Sequence, residues 1–213
     1  MRIGVVGSGE VGTTLAAGFA KHGHAVTIGA RTPAKLAEWS EQHPEIRIGT
    51  LAAAAAFGEL IVLAVKAAAA AQALQLAGTA ALAGKLVIDT TNPVTDAPPV
   101  NGVLGFYTST NESAMESLQR QFPSLRFVKA FNSVGAEFMV DPRFEGGPPT
   151  MFICGNDAAA RQTVAGILQQ FGWEVADMGA AEAARAIEPL CMLWCILGFT
   201  KNEWTHAFKL LRK

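Results

Sequence analysis

The chain has 213 residues, of which 50% are hydrophobic and 16% are charged, so it can bury a large core in one domain with at most a small appendage. Its net charge is −1, and its aromatic residues do not alternate with basic ones. These properties argue against a nucleic-acid partner and against an anionic membrane surface as a partner.

The ends of the chain give no sign of targeting or insertion. The first strand-like run is interrupted at Gly7, so we expect no signal peptide. The longest apolar run near the C-terminus, residues 190–199, is shorter than a membrane-spanning helix requires, and we expect a cytosolic protein. Cys154, Cys191 and Cys195 match neither a metal-binding spacing nor a C-x-x-C motif, so no metal is expected and each is interpreted as a small buried hydrophobic residue.

The N-terminal segment joins a strand-like run to a helix-like run through Gly7, Gly9 and Gly12, in the spacing G-x-G-x-x-G. Gly7 permits a sharp turn out of the strand, Gly9 lets a phosphate approach the backbone, and Gly12 lets the helix lie close to the strand. The helix N-terminus offers unpaired N–H groups and a partial positive charge. The segment therefore predicts a pyrophosphate-binding loop; a plain glycine-rich turn is the alternative.

The end of the second predicted strand, residues 25–30, indicates which dinucleotide is bound. Folds that bind NAD usually place an acid there to hold the ribose 2′-OH, and this chain has none. It has Arg31, followed by Thr32 and Pro33 as a natural N-cap and first helical residue, with Lys35 one turn further on. Because this group attracts a 2′-phosphate, the sequence predicts NADP; an ordinary capped helix with surface charges is the alternative.

Strand-like and helix-like segments alternate along the rest of the chain. Further strands are predicted at residues 46–48, 59–65, 84–89, 125–130, 150–155 and 172–176. The alternation predicts an α/β fold of the Rossmann type, with a doubly wound, mostly parallel sheet. We expect residues 1–179 to form an NADP-binding domain, and residues 180–213 to form a helical appendage packed on it, with a break at Pro189.

Polar residues follow two strands at the edge where doubly wound sheets bind ligands. Lys66 can neutralise a phosphate there, although a solvated lysine at a helix start fits equally well. Asn92, followed by Pro93, offers an amide near the expected nicotinamide position, or is an ordinary turn residue. The long irregular stretch 94–111 is predicted to be a lid over a second substrate.

The chain resembles the NADP oxidoreductases of the coenzyme F420-dependent type and the related cytosolic domain of six-transmembrane metalloreductases. The resemblance covers nearly the whole length, and it rests on the glycine loop and on the segments 29–32, 92–94, 105–107, 129–132 and 153–157. It implies a dinucleotide-binding domain with a small C-terminal helical part. It also implies hydride transfer from NADPH to a flavin-like ring that lies over the nicotinamide.

The same resemblance assigns residues to the parts of the cofactor. It implies that the pyrophosphate is held by Gly7, Ser8, Gly9, Glu10 and Val11, that the 2′-phosphate is held by Arg31 and Thr32, and that the nicotinamide is bordered by Val65, Lys66, Asn92, Pro93, Ala130 and Asn132. Asn132 is the candidate catalytic residue. The deazaflavin reductases of the family often carry a histidine near this position, so the acceptor stays open. Hydride transfer between stacked rings needs no strong general base.

Two other functions fit parts of the sequence. A dehydrogenase of a small hydroxyacid would use Lys129 with Asn132, but such enzymes need a large second domain, for which the chain has only about 35 residues left. A non-catalytic module that senses NADP(H) fits the sparse titratable groups. Because the C-terminal helical segment is apolar, we expect a homodimer, with a monomer that buries this segment as the alternative.

Overall fold

The computed structural model describes residues 1–213 and contains one sheet of six strands. The strands are β1 (Arg2–Val6), β2 (Ala25–Gly29), β3 (Arg47–Gly49), β4 (Leu60–Leu63), β5 (Leu86–Asp89) and β6 (Arg126–Lys129). All neighbours pair in parallel, in the order β3-β2-β1-β4-β5-β6. This is the doubly wound order with its reversal between β1 and β4, so the predicted Rossmann-type fold is confirmed.

Helices cover both faces of this sheet. They are α1 (Glu10–Lys21), α2 (Ala37–Gln42), α3 (Leu51–Phe57), α4 (Ala70–Ala77), α5 (Thr79–Leu82), α6 (Ala114–Gln121), α7 (Ala158–Gln170) and α8 (Ala184–Lys201). Successive residues of a strand point to opposite faces, and Val5 and Val6 accordingly belong to two separate buried clusters. The first cluster packs against α1 and α7, and the second packs against α3, α4, α6 and α8.

The last two predicted strands exist, but they form a pair of their own. β7 (Thr150–Ile153) and β8 (Glu174–Asp177) pair in parallel, with α7 as their crossover. One antiparallel bridge, from Lys129 to Cys154, joins the pair to β6. The chain crosses β6 closely at Gly155, where a β-carbon would lie 2.3 Å from the carbonyl oxygen of Phe127.

The predicted break at Pro189 does not occur, because α8 continues through this residue. Proline removes one helical hydrogen bond, but the turn before it is anchored to the sheet. The carbonyl oxygen of Ile187 accepts a hydrogen bond of 2.8 Å from Asn132 Nδ2, and the Glu188 side chain is buried in an ion pair. These tertiary contacts outweigh the local preference of proline.

The helix predicted over residues 180–213 is wrong beyond residue 201. α8 ends at Lys201, and its C-cap residue Asn202 adopts the left-handed conformation with φ 56°. The following residues are non-helical and lie beside β7, where the backbone N–H of Thr150 donates to the carbonyl oxygen of Phe208 at 2.8 Å. This hydrogen bond to the first residue of β7 holds the segment, and no second helix forms.

The segment Ala181–Lys201 corrects a further expectation. Its 21 residues and mean hydropathy of 1.3 would allow it, by length and composition alone, to cross a membrane, although the apolar run 190–199 within it is too short. Helices that pack on the core of a protein can have the same length and the same apolar composition. Glu188, near the middle of this segment, forms its ion pair inside the fold.

The predicted lid, residues 94–111, contains no regular strand or helix, as expected; residues 94–106 fold back as a hairpin through two isolated antiparallel bridges, Val94 to Phe106 and Val100 to Val103. Asn101 and Gly102 at its tip have φ 52° and 83°, the positive values that a two-residue hairpin turn of type I′ requires. The tip packs on α8, because a β-carbon at Gly102 would lie 2.7 Å from Thr200 Cγ2. The hairpin therefore joins the end of β5 to the C-terminal helix.

Candidate active site

A cavity of about 590 Å³ lies at the carboxyl edge of the sheet, where the strand order reverses between β1 and β4. Its volume is typical of sites for small molecules and cofactors. The predicted site residues in its wall are Gly7, Ser8, Gly9, Glu10, Val11, Arg31, Val65, Lys66 and Asn92. The predicted residues outside its wall are Gly12, Thr32, Lys35, Pro93, Ala130 and Asn132.

The glycine loop forms the floor of the cavity. Gly7 has φ 125°, and its N–H donates to the carbonyl oxygen of Gly29 at 3.0 Å. A β-carbon at Gly7 would lie 2.1 Å from the carbonyl oxygen of Ala64, and one at Gly12 would lie 2.2 Å from that of Gly7. Both positions therefore require glycine. Gly12 packs against the underside of the loop, so it does not line the cavity.

The N-terminus of α1 opens into this floor. Gly9 is its N-cap, so no side chain caps the helix, and the first helical hydrogen bond runs from the Thr13 N–H to the Gly9 carbonyl at 2.9 Å. The N–H groups of the first turn, including those of Glu10 and Val11, are left for an external acceptor. A β-carbon at Gly9 would meet no atom within 4 Å. This arrangement suits an anion that approaches the backbone closely.

Of the group predicted at the end of β2, which was Arg31, Thr32 and Lys35, only Arg31 lies in the cavity wall. Arg31 lines the cavity, is exposed, and forms no ion pair with any carboxylate of the chain. The Thr32 side chain makes no capping hydrogen bond, and Pro33–Leu36 is a 3₁₀ turn instead of the start of an α-helix. Thr32 and Lys35 are exposed beside the cavity rather than in its wall.

The end of β5 forms the opposite part of the wall through Thr90, Thr91 and Asn92. The first two were missed, although a polar run directly after a buried strand is the signal that marked Asn92. Two hydrogen bonds fix this turn: the buried Thr90 hydroxyl donates to the Leu63 carbonyl at 3.0 Å, and Asn92 Nδ2, which is partly buried, donates to the Asn132 carbonyl at 2.8 Å.

Asn132 does not reach the cavity, which corrects its prediction as the catalytic residue. Its side chain is 4% exposed, and its Nδ2 donates to the carbonyl of Ile187 at 2.8 Å and to Asn92 Oδ1 at 3.3 Å. The preceding residue, Phe131, is buried with φ 62°, a left-handed conformation that is rare for a bulky residue. Asn132 therefore joins β6 to α8 and supports Asn92 from behind.

Beneath this turn lies a buried charge cluster that the sequence analysis missed. Lys129 is fully buried, and its Nζ lies 2.7 Å from Asp89 Oδ2, 2.9 Å from Glu188 Oε1 and 2.7 Å from the carbonyl oxygen of Thr91. Burial acts to lower the pKa of Lys129, but the two carboxylates outweigh it and raise the pKa above its ordinary value. The ammonium group stays charged and cannot act as an acid or base.

Glu188, on α8, connects the charge cluster to helix α6. Its carboxylate accepts hydrogen bonds from the backbone N–H groups of Ala114, at 2.9 Å, and Met115, at 3.0 Å. These are the first N–H groups of α6, where the helix dipole favours a negative charge. The cluster therefore connects β5, β6, α6 and α8 directly behind the cavity wall.

An exposed ion pair borders the mouth of the cavity. Lys66 Nζ, at the end of β4, lies 2.8 Å from Asp96 Oδ1 in the hairpin, and both residues line the cavity. The hydrogen bond with Asp96 raises the pKa of Lys66 and lowers that of Asp96. Asp96 was not predicted as a site residue, because only the fold brings it next to Lys66.

Comparisons with known proteins agree with this geometry. The sequence model of the family "NADP oxidoreductase coenzyme F420-dependent" matches residues 2–93. The crystal structure of a candidate F420-dependent NADP-reductase from Arthrobacter sp. FB24 is 37% identical, with all of both chains covered and a TM-score of 0.93. A reductive aminase from Aspergillus terreus, in complex with NADPH and ethyl levulinate, shares the fold at 21% identity and a TM-score of 0.68, over 94% of this chain and 62% of its own.

Two kinds of metalloreductase are also similar. Metalloreductase STEAP3 of Rattus norvegicus is 28% identical over 89% of this chain, and metalloreductase STEAP2 of Homo sapiens is 28% identical over 88%. The chain spans only 36% and 35% of the length of these relatives. The full-length likeness to the Arthrobacter protein, the family match over the glycine loop and the doubly wound sheet together show that this chain belongs to the family of coenzyme F420-dependent NADP oxidoreductases, enzymes that use NADP as their cofactor.

Proposed function

We propose that the protein transfers hydride between NADP(H) and a flavin-like acceptor, with deazaflavins as the preferred class. The observation that carries the proposal is the single cavity that runs from Arg31, past the glycine loop, to Asn92. A doubly wound sheet binds dinucleotides across this same reversal point. The cavity therefore offers a continuous path from a 2′-phosphate to a nicotinamide ring.

The residues present fit NADP. The uncapped N-terminus of α1 faces the cavity, and the space in front of Gly9 admits a pyrophosphate to the backbone. Arg31 is an unpaired guanidinium at one end of the wall, where it can bind a 2′-phosphate through two hydrogen bonds. At the other end, Thr91 and Asn92 form a rigid polar turn suited to the carboxamide of nicotinamide.

When bound, NADPH supplies the hydride, and the chain supplies binding and orientation. The titratable side chains in the cavity wall are Glu10, Arg31, Lys66 and Asp96. All four are exposed, and none belongs to the Thr90–Asn92 turn that would meet the nicotinamide. Such a wall fits a reaction that needs two rings held in contact rather than proton transfer by the protein.

The hydroxyacid dehydrogenase alternative loses its support in this structure. Lys129 is fully buried among two carboxylates, and Asn132 is buried behind the wall, so neither meets a substrate in the cavity. An NADP(H)-sensing module remains distinguishable by experiment, because it would bind the cofactor without turning it over.

The test is NADPH oxidation with a panel of acceptors. The purified protein is mixed with NADPH and a deazaflavin, riboflavin, FMN or a quinone, and the nicotinamide absorbance is followed against protein-free controls. We expect the deazaflavin to give the fastest protein-dependent loss of absorbance. A larger rate with a quinone would overturn the acceptor class. Binding of NADPH without accelerated oxidation by any acceptor would favour the sensing module.

We also propose that the protein is a cytosolic homodimer. Large apolar side chains are exposed on α8 and on the hairpin packed against it, namely Leu193, Phe199, Val100 and Val103. A second copy packed on α8 and the hairpin would cover these side chains. Sedimentation equilibrium tests this: the native chain should run as a dimer, and Leu193→Asp as a monomer. A monomeric native chain would refute it.

A further inference from the structure

α8 carries two thiols that the proposed function does not use. Cys191 and Cys195 are both free, both partly exposed, and both outside the wall of the cavity. They are four residues apart, so they lie on the same side of the helix, about 40° apart around its axis. Cys154 differs from them, because it is fully buried in the core and burial raises its pKa to about 12.

The two thiols act on each other. The proximity of the two thiols raises the pKa of Cys191 and lowers the pKa of Cys195. Cys195 is therefore the more readily ionised thiol and the better nucleophile of the pair. Their spacing of four residues on one side of α8 places both sulfur atoms within reach of one ligand atom.

The distance between Cys191 and Cys195 on the helix determines which kind of ligand can bind both sulfur atoms. Residues four apart on a helix have β-carbons about 5–6 Å apart, farther than the roughly 3.8 Å of a disulfide, so an inserted atom fits better than a direct S–S bond. The chain has no group of three or more His, Cys, Asp or Glu side chains that could hold a metal ion. Zinc, which takes four ligands in structural sites, is therefore not matched.

We propose that Cys191 and Cys195 form a dithiol site for thiophilic ligands that take two sulfur atoms, with trivalent organic arsenicals as the matching class. With phenylarsine oxide, the two S–H bonds and the arsenic–oxygen bond break, two As–S bonds form, and one water leaves. Arsenic stays trivalent and the sulfurs are not oxidised, so the step needs no further reactant. The site is independent of the proposed hydride transfer.

The test uses the full chain, one equivalent of phenylarsine oxide and a phosphine reductant that contributes no thiol. Intact mass spectrometry should show one adduct per chain, equal to the reagent less one water. Iodoacetamide labelling of Cys191 and Cys195 should be suppressed together. The adduct should resist excess 2-mercaptoethanol and be removed by 2,3-dimercaptopropanol, because chelation strengthens binding at least about 100-fold over one thiol.

Matched variants separate this site from general thiol reactivity. Cys191→Ser and Cys195→Ser should each lose the adduct that resists monothiol, and Cys154→Ala should keep it. Cys195→Ser combined with Ile196→Cys keeps the number of thiols but turns the second one about 140° from the first, so it should also lose the adduct. Circular dichroism verifies that each variant is folded.

The wild-type measurement decides the proposal even where a variant fails to fold. Absence of an adduct on the native chain, or an adduct that leaves both residues open to iodoacetamide, would overturn it. Retention of the monothiol-resistant adduct by folded Cys191→Ser, or by the chain with the shifted thiol, would do the same.

Discussion

Replacement of Lys129 by methionine tests the buried charge cluster behind the cavity. The methionine fills a similar volume but removes the cation that lies between Asp89, Glu188 and the Thr91 carbonyl, at 2.7, 2.9 and 2.7 Å. Two carboxylates are then buried without a cation. Removing one partner of a buried ion pair costs about 3–5 kcal/mol, because the remaining charge is left uncompensated.

This cost is measurable by thermal unfolding. For a chain of this size, about 1 kcal/mol shifts Tm by roughly 2–4 °C, so Lys129→Met should lower Tm by about 6–20 °C. The pKa of Lys129 is raised above its ordinary value of 10.5, so its contribution is complete below that pH and is lost only at higher pH. The contribution of Lys129 to the stability of the native chain should therefore be the same at pH 7 and pH 9.

A charge-free control distinguishes electrostatics from packing. The triple variant Asp89→Asn, Lys129→Met, Glu188→Gln removes both carboxylates together with the cation, so it should recover at least half of the lost Tm. A shift below about 2 °C in Lys129→Met, or a triple variant less stable than the single one, would refute the reasoning.

Three further predictions test other parts of the site and fold. Arg31→Ala should weaken NADPH binding about 10- to 150-fold, the value of a charge-assisted hydrogen bond of about 1.5–3 kcal/mol, and leave NADH binding within twofold in fluorescence titrations; equal losses would contradict it. Hydrogen bonds from Arg185 lower the pKa of Glu116 from 4.5 to about 2, so its contribution, about 1 kcal/mol after screening, is complete above pH 4.5 and is lost as pH falls towards 2. Glu116→Gln should accordingly be less stable at pH 7 and equal to the native chain near pH 2 in urea unfolding. Gly12→Ala places a β-carbon 2.2 Å from the Gly7 carbonyl, so both Tm and NADPH affinity should fall; unchanged values would show that the loop is not packed as described.

The sequence was sufficient for the features that depend on local chemistry. The glycine loop, Arg31 and Asn92 follow predicted strands directly, and parallel strands bring their carboxyl ends to one edge, so the cavity wall could be anticipated. The alternation of strand and helix also predicts a mostly parallel sheet covered by helices.

The sequence was insufficient where distant segments meet. The local sequence does not show whether Asn132 faces a ligand or a helix. Asn132 is buried because α8 packs on it, with the Ile187 carbonyl accepting its hydrogen bond. The partners Lys129 and Glu188 are far apart in the chain, and nothing local marks them as a pair. Residues 203–213 contact the start of β7 through Thr150 instead of continuing as a helix, and local helix propensity does not reveal this long-range contact.

The central claim is that the N-terminus of α1 holds the pyrophosphate of NADP(H), and Gly9→Ala tests it most directly. Gly9 has φ −76°, which alanine adopts freely, and the added carbon would meet no atom of the protein within 4 Å, so the fold should be unaffected. The carbon would instead stand where the pyrophosphate approaches the backbone.

Isothermal titration of NADPH into the native chain and into Gly9→Ala is the deciding measurement, with Tm recorded for both. We predict one NADPH per native chain, at least about 10-fold weaker binding to the variant, which is about 1.4 kcal/mol, and Tm values within about 2 °C of each other. A native chain that does not bind NADPH at millimolar concentration, or a variant that binds it as tightly as the native chain, would contradict the account.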